Sequence, residues 1–240
     1  MVKQQLVYEG KAKRLYQTDQ EGVLWVEYKD SATAFNAEKK ATINGKGRYN
    51  NEISSLIFQL LQHYKIPTHF VKQFSKTEQL VRETKIIPIE VVVRNVVAGS
   101  LSRRMGIEEG TVLSKPVLEF YYKDDDLGDP LINEDHMNIL NIASQDEILQ
   151  IRKMARNIND ILINYFNKCD VRLVDFKLEF GIDHEGKLLL ADEISPDTCR
   201  LWDIATNQKL DKDVFRRGIG SLTDAYAEIL QRLKEVNQHV

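Results

Sequence analysis

The sequence predicts an α+β fold of antiparallel sheets with flanking helices, and two observations carry that prediction. Strand-like stretches come first and recur in pairs, joined by a few turn residues. Three other stretches repeat apolar residues at three- and four-residue steps, the mark of a helix with one buried face. At 240 residues, 42% hydrophobic and 29% charged, the chain is long enough for one large domain or two small ones.

In chain order, 7–16 and 23–28 read as strands separated by the turn-forming Asp19, Gln20, Glu21 and Gly22. Ile53, Leu56, Ile57, Leu60, Leu61 and Tyr64 then share one face of a helix over 47–64, with Pro67 just beyond its end. Residues 79–84 and 86–97 look like strands joined near Lys85, the second carrying the β-branched run Val91, Val92 and Val93. A domain boundary is expected there, dividing an antiparallel-sheet lobe over 1–85 from an α+β domain over 86–240. Asp124, Asp125, Asp126, Gly128, Asp129 and Pro130 make 121–141 acidic and loop-like, a candidate mobile loop. Ser144 and Glu147 form a capping-box pattern, and Ile148, Ile151, Ala155, Ile158, Leu162 and Tyr165 continue it as a helical stripe. The stretch 221–236 repeats that logic with Leu222, Tyr226, Ile229, Leu230 and Leu233.

Several function classes are disfavoured by composition. The net charge is −3 and the basic residues are scattered, so no nucleic-acid footprint is expected. Cys169 and Cys199 are too few for a disulfide framework or zinc site, and five histidines show no ligand spacing; a reducing cytoplasm suits them. Neither a signal-length apolar stretch near Met1 nor an eighteen-residue apolar run appears, so no membrane association is expected.

The chemistry concentrates in the stretch 173–181. Strand alternation puts Asp175, Lys177 and Glu179 on one face and Val174, Phe176, Leu178 and Phe180 on the other. Asp183, His184, Glu185 and Gly186 supply a turn, and 187–193 reads as the returning strand. A two- or four-residue loop brings Asp192 to the face of Lys177 and Glu179, whereas an odd loop substitutes Glu193. Two carboxylates and an ammonium suit a Mg²⁺-nucleotide, because Mg²⁺ takes one or two carboxylates plus phosphate oxygens. Periodicity alone favours a solvated strand face with surface ion pairs.

Other candidates also admit two readings. Gly10, Lys11, Ala12 and Lys13 could let a small-residue backbone approach a triphosphate, or be exposed lysines on an edge strand. Arg94, Gly99 and Ser100 could form an anion site, or Arg94 could pair with Glu90. Cys199 adjoins Arg200 but has no obvious base, so it is read as passive, and His136 as a polar loop residue.

The stretch Leu173-Val174-Asp175-Phe176-Lys177-Leu178-Glu179-Phe180-Gly181 resembles a signature of the phosphoribosylaminoimidazole-succinocarboxamide synthases, or SAICAR synthetases. A second signature agrees, Pro88-Ile89-Glu90-Val91-Val92-Val93-Arg94-Asn95-Val96-Val97-Ala98-Gly99-Ser100. The likeness runs from Tyr8-Glu9-Gly10-Lys11-Ala12-Lys13 through Asp192-Glu193-Ile194-Ser195-Pro196-Asp197 to Arg200-Leu201-Trp202-Asp203.

That resemblance implies a SAICAR synthetase-like fold whose N-terminal lobe is a kinase-like or ATP-grasp-like ATP-binding sheet with a hairpin lid. It implies ATP as co-substrate, with contacts at Gly10, Lys11, Ala12, Lys13, Val81, Arg82 and Lys123. Lys177, Glu179 and Asp192 would handle the nucleotide, with Glu179 and Asp192 on Mg²⁺. Arg94, Ser100, Asp197 and Arg200 would bind a ribonucleotide substrate, and Lys177 and Asp175 would be catalytic, Asp175 by orienting a substrate or a lysine. The implied reaction joins a carboxylated aminoimidazole ribonucleotide (CAIR) to L-aspartate through an acyl phosphate, in a homodimer. The stretch 36–46 is the candidate for part of the aspartate site. Two alternatives remain, a kinase-like small-molecule phosphotransferase and a non-catalytic nucleotide sensor. A typical protein kinase would show motifs absent here, and a sensor has no need of Arg94, Ser100 and Arg200 together.

Overall fold

A computed structural model describes residues 1–34 and 39–237. The elements run β1 (Lys3–Glu9), β2 (Lys13–Thr18), β3 (Val23–Tyr28), β4 (Ser31–Ala34), β5 (Lys39–Thr42), α1 (Lys46–His63), β6 (Phe70–Gln73) and β7 (Glu78–Arg82). They continue with β8 (Lys85–Val96), α2 (Ser100–Met105), β9 (Val112–Tyr122), β10 (Leu131–Ile132), α3 (Glu134–Ile139) and α4 (Gln145–Asn167). Last come β11 (Val171–Ile182), β12 (Leu188–Ala191), β13 (Cys199–Asp203), α5 (Asp213–Arg217) and α6 (Leu222–Asn237). One antiparallel sheet has the order β1-β2-β3-β7-β6, and a second the order β10-β9-β8-β11-β12 with β13 also paired to β11. β4 and β5 form a separate small hairpin.

The main core lies against one face of the second sheet, where Val91, Val93, Phe176, Leu178 and Phe180 meet Ile151, Leu162, Tyr226 and Ile229 from α4 and α6. α4 starts as its sequence dictates: the Ser144 hydroxyl accepts from Glu147 N (3.2 Å) while Glu147 Oε2 accepts from Ser144 N (2.7 Å). The apolar stripe of α1 joins the same core through Ile53, Ile57, Phe58 and Leu61. Apart from Gly47, its other buried residues are polar, namely Lys46, Asn50, Asn51, Glu52, Ser54 and Ser55. The start of α1 is held by Asp30, whose carboxylate accepts from Gly45 N (3.1 Å) and Gly47 N (2.9 Å). Gly47 has no alternative, since a Cβ there would come 2.7 Å from Tyr28 O.

Several local readings are corrected by tertiary structure. The expected strand 7–16 is two strands joined by a turn in which Gly10 N donates to Lys13 O (2.9 Å). Val112–Tyr122 is a long strand that lacks a clean alternation of apolar and polar residues. The stretch 121–141 holds β10 and α3, and His136 serves α3 as a cap: its N donates to Asn133 Oδ1 and its Nδ1 accepts from Asn133 N. Val174 does not share the face of Phe176. A bulge between Leu173 and Asp175 reverses the alternation, so Leu173 joins the main core and Val174 packs with Val96, Ala98 and Trp202.

The β11–β12 hairpin also departs from expectation. Ile182 pairs with Leu188, leaving the five residues 183–187 as the loop, and the return strand ends at Ala191. Asp183 Oδ1 ties this loop by accepting from Glu185 N (3.0 Å) and Lys187 N (2.9 Å).

Candidate active site

A cavity of about 1190 Å³ opens between the two sheets, and it gathers most of the polar residues singled out in the sequence. The turn after β1 supplies Gly10, Lys11 and Ala12, β2 supplies Lys13, and β7 supplies Val81 and Arg82. Arg94, Lys123, Asp175, Lys177, Glu179, Asp192, Asp197 and Arg200 come from the second sheet and its loops. Ser100 does not line the cavity but touches a residue that does, accepting from Arg94 Nη2 at 3.0 Å. Asn36, in the stretch named for aspartate, lies outside the described residues together with Phe35, Ala37 and Glu38.

Lysines and carboxylates alternate at the first end of the cavity. Lys177 Nζ donates to Glu90 (2.7 Å) and Glu179 (2.8 Å), Lys123 donates to Glu179, and Lys13 donates to Asp192 with Glu193 at 3.2 Å. Glu90 therefore serves Lys177, not Arg94 as the alternative reading held. Burial opposes the charge on Lys177, but Glu179, Glu90 and Asp192 outweigh it and its pKa is raised. Burial likewise opposes the Asp192 carboxylate, and Lys13 and Lys177 outweigh that, holding its pKa well below the usual range.

Loop parity selects neither acid alone. The odd loop directs Glu193 to the face of Lys177 by strict alternation, but alternation ends at Asp192, whose φ of +61° is left-handed. Asp192 and Glu193 consequently both reach Lys13. Glu193 is a site residue that pattern alone offered only as a substitute.

The second end is built on arginine. Arg94 donates from Nε to Glu119 (2.6 Å), from Nη1 to Asp175 (2.9 Å), and from Nη2 to Ser100 and Tyr121 (3.2 Å). Arg200 donates to the same Asp175 (2.9 Å) and to Asp213 (3.0 Å). Asp175 thus pairs with two guanidiniums, those of Arg94 and Arg200, and its side-chain hydrogen bonds come from these arginines. Arg104, missed in the sequence, joins through Tyr121 (2.7 Å) and Glu119. Its position on α2, four residues after Ser100, was the available signal.

Asp197 is enclosed by Lys46 (2.6 Å), Lys212 (3.4 Å) and the Tyr226 hydroxyl (2.5 Å). Burial opposes its charge, and the two lysines hold its pKa well below the usual range nonetheless. Cys199 is buried and burial pushes its thiol up, so it has no thiolate character, as expected of a passive residue.

Sequence comparison decides what family carries this cavity. The SAICAR synthetase family model matches residues 6–233. The chain belongs to the SAICAR synthetase family. A phosphoribosylaminoimidazole-succinocarboxamide synthase of Bacillus cereus is 64% identical over 233 residues, covering 97% of this chain and 98% of the relative. Among solved structures, the Ehrlichia chaffeensis synthase is 45% identical with a TM-score of 0.94, covering 96% of this chain and 98% of that one. A SAICAR synthetase in complex with ADP is 49% identical with a TM-score of 0.92, covering 95% and 97% respectively. The antiparallel α+β architecture expected from sequence is that of this family. Among the described residues no helix is long and apolar enough to cross a membrane.

Proposed function

We propose that this chain is an ATP-dependent ligase that joins the imidazole carboxylate of CAIR to the amine of L-aspartate, giving SAICAR, ADP and phosphate in purine biosynthesis. The observation carrying this reading is the meeting, in one cavity, of a lysine–carboxylate cluster with a paired-arginine cluster. The first suits a nucleotide triphosphate and the second a phosphorylated substrate. Family membership supports it.

In this reading residues 1–85 form the nucleotide lobe and 86–240 the substrate and metal domain. Gly10, Lys11, Ala12 and Lys13 cover the phosphates, Val81 and Arg82 flank the base, and Arg94, Ser100 and Arg200 hold the ribonucleotide phosphate. Asp197 acts on the substrate side through the lysines it holds.

The donor set fits Mg²⁺. Among the described residues no group of three metal-binding side chains is assembled, but Mg²⁺ with a nucleotide needs only one or two carboxylates, the remainder being phosphate and water. Glu179 and Asp192 would hold it, and when bound it offsets charge on the phosphates. Each carboxylate now faces a lysine; an incoming nucleotide gives those lysines phosphate oxygens instead, so the exchange leaves few charges unpaired.

The substrate carboxylate is a poor electrophile because its charge repels nucleophiles and oxide is a bad leaving group. Its oxygen attacks the terminal phosphorus of ATP, ADP leaves, and the amine of aspartate then attacks the acyl carbon and expels phosphate. Lys177, Lys13 and Lys123 neutralise charge at the transferring group, so catalysis is mainly positioning and electrostatics. A cytoplasmic homodimer completes the proposal.

The test is ADP release measured with and without CAIR and L-aspartate. Full turnover is expected only with both. Release that aspartate neither accelerates nor enters as product would sink the ligase reading in favour of a phosphotransferase.

A further inference from the structure

Asp211 is fully buried and does not line the cavity, yet both of its oxygens are taken up by the main chain around one cavity arginine. Oδ2 accepts from the backbone N of Leu201 (2.8 Å), the residue after Arg200. Oδ1 accepts from the backbone N of Asp213 (2.7 Å), whose own carboxylate accepts from Arg200 Nε (3.0 Å). One carboxylate thus fixes the main chain at both members of the Arg200–Asp213 pair.

The two amides belong to different elements. Leu201 lies in β13, and Asp213 begins α5, whose N-cap Lys212 makes no side-chain cap. Asp211 supplies that cap from one residue upstream, giving a partner to an amide that the first turn of a helix leaves free. Arg200 precedes one anchored amide, Lys212 precedes the other, and Arg216 follows on α5; all three line the cavity. The two segments stay together without Asp211, through Leu210 N to Leu201 O (2.8 Å) and Lys212 N to Pro196 O (3.0 Å). What Asp211 adds is the setting of the corner from which these cations enter the cavity.

The residue type matters. An ionised aspartate is acceptor-only, so each oxygen takes one N–H. An asparagine of the same shape keeps one oxygen and turns an NH₂ toward the other amide, donor against donor, leaving that buried amide unpaired.

We propose that Asp211 is a positioning residue of the ribonucleotide end, acting through Arg200 and Asp213, so that its loss weakens binding of the ribonucleotide and spares the nucleotide triphosphate. The inference rests on the ligase reading above and adds the residue that holds the second arginine in place.

The experiment compares the full chain with its Asp211→Asn variant at about pH 8, above the value of about 7 to which burial and Asp213 raise this acid, varying CAIR and ATP in turn. The KM for CAIR is expected to rise about tenfold, with the KM for ATP nearly unchanged. A merely structural loss would lower kcat through the folded fraction and leave both KM values in place. An unchanged KM for CAIR, or equal increases in both, overturns the role of Asp211.

Arginine Nε–H resonances give a second readout that needs no substrate. Arg94 Nε donates to Glu119 (2.6 Å) as Arg200 Nε donates to Asp213, so Arg94 is the reference within the same site. In Asp211→Asn the Arg200 signal is expected to move further than the Arg94 signal; equal movement, or none, overturns the proposal. Wild type that turns over no CAIR would sink the ligase reading and leave this second readout to decide on Asp211.

Should Asp211→Asn fail to fold, amide exchange in the wild type decides. Coupling between sites is reciprocal, so CAIR held at Arg200 is expected to slow exchange at the Leu201 and Asp213 amides, and MgATP alone is not. Exchange that CAIR leaves unchanged at both amides overturns the proposal.

Discussion

The guanidinium of Arg200 lies directly over the backbone of Gly99: a Cβ on Gly99 would come within 2.5 Å of Arg200 Nη2. Gly99 has φ +56° and ψ −123° and precedes α2, so the glycine serves both an unusual backbone and the approach of the arginine. Gly99→Ala should therefore displace Arg200 from Asp175. The expected result is a KM for the ribonucleotide raised about tenfold or more, with the KM for ATP nearly unchanged, and a stability loss of roughly 1–3 kcal/mol from backbone strain. Steady-state kinetics with each substrate varied in turn checks this; an unchanged ribonucleotide KM contradicts the assignment of Arg200.

Glu179 contacts both Lys177 and Lys123, and it is the most shared carboxylate of the nucleotide end. Glu179→Gln should raise the Mg²⁺ concentration needed for half-maximal rate by about tenfold, reflecting loss of one anionic ligand of the order of a charged hydrogen bond. Asp192→Asn and Glu193→Asn, measured alongside, assign the second ligand. Whichever variant shifts the Mg²⁺ dependence identifies it, and a normal dependence in Glu179→Gln removes that residue from the metal site.

Local pattern revealed those parts of the fold that depend on local physics. The capping box at Ser144, the stripes of α4 and α6, and the charged face of Lys177 and Glu179 were legible because each is set by periodicity or a cap within a few residues. Arg94 and Arg200 were named together, as an expected anion site, through the resemblance. That Asp175, itself named in the sequence, is their common partner was not legible, because only strand pairing brings it to Arg94 and to Arg200. Asp192 and Glu193 could not be separated because the loop length and the left-handed residue at Asp192 together set their directions. Lys46 was reached only as the end of the stretch 36–46, and its pairing had no local sign, since its partner Asp197 follows β12, far along the chain.

Two buried acids should respond to pH in opposite directions. Asp211 is buried, and burial, reinforced by Asp213, raises its pKa to about 7. The folded chain holds its proton more tightly than the unfolded chain does. Its contribution is thus fully present below the ordinary value of 3.8 and is lost as pH rises through about 7, by up to ~1.4 kcal/mol per pH unit. Asp203 is lowered to about 2 by hydrogen bonds from the Thr206 hydroxyl and backbone and from Arg232, so its contribution is lost as pH falls from 3.8 through 2. Asp211→Asn should flatten the stability profile between pH 4 and 7 without altering its acid limb, whereas Asp203→Asn should flatten the acid limb alone. Denaturant unfolding across pH measures both; a wild-type slope retained in Asp211→Asn excludes that acid as its source.

Lys46 is fully buried and its Nζ lies 2.6 Å from the Asp197 carboxylate, which also meets Lys212 and Tyr226. Removing one partner of a buried ion pair leaves the other uncompensated, a cost of about 3 kcal/mol or more. Lys46→Met should show that loss in denaturant midpoint. Asp197 keeps Lys212 and Tyr226, however, so it stays ionised and Lys212 moves to serve it alone. Lys212 lines the cavity, and the same variant should therefore raise the KM of one anionic substrate as well. The double variant with Asp197→Asn separates the two effects. If the pair is coupled, the second substitution costs much less in the Lys46→Met background than in wild type, by a difference of about 1–3 kcal/mol. Additive losses would mean that Lys46 stabilises α1 on its own and that Asp197 depends on Lys212 instead.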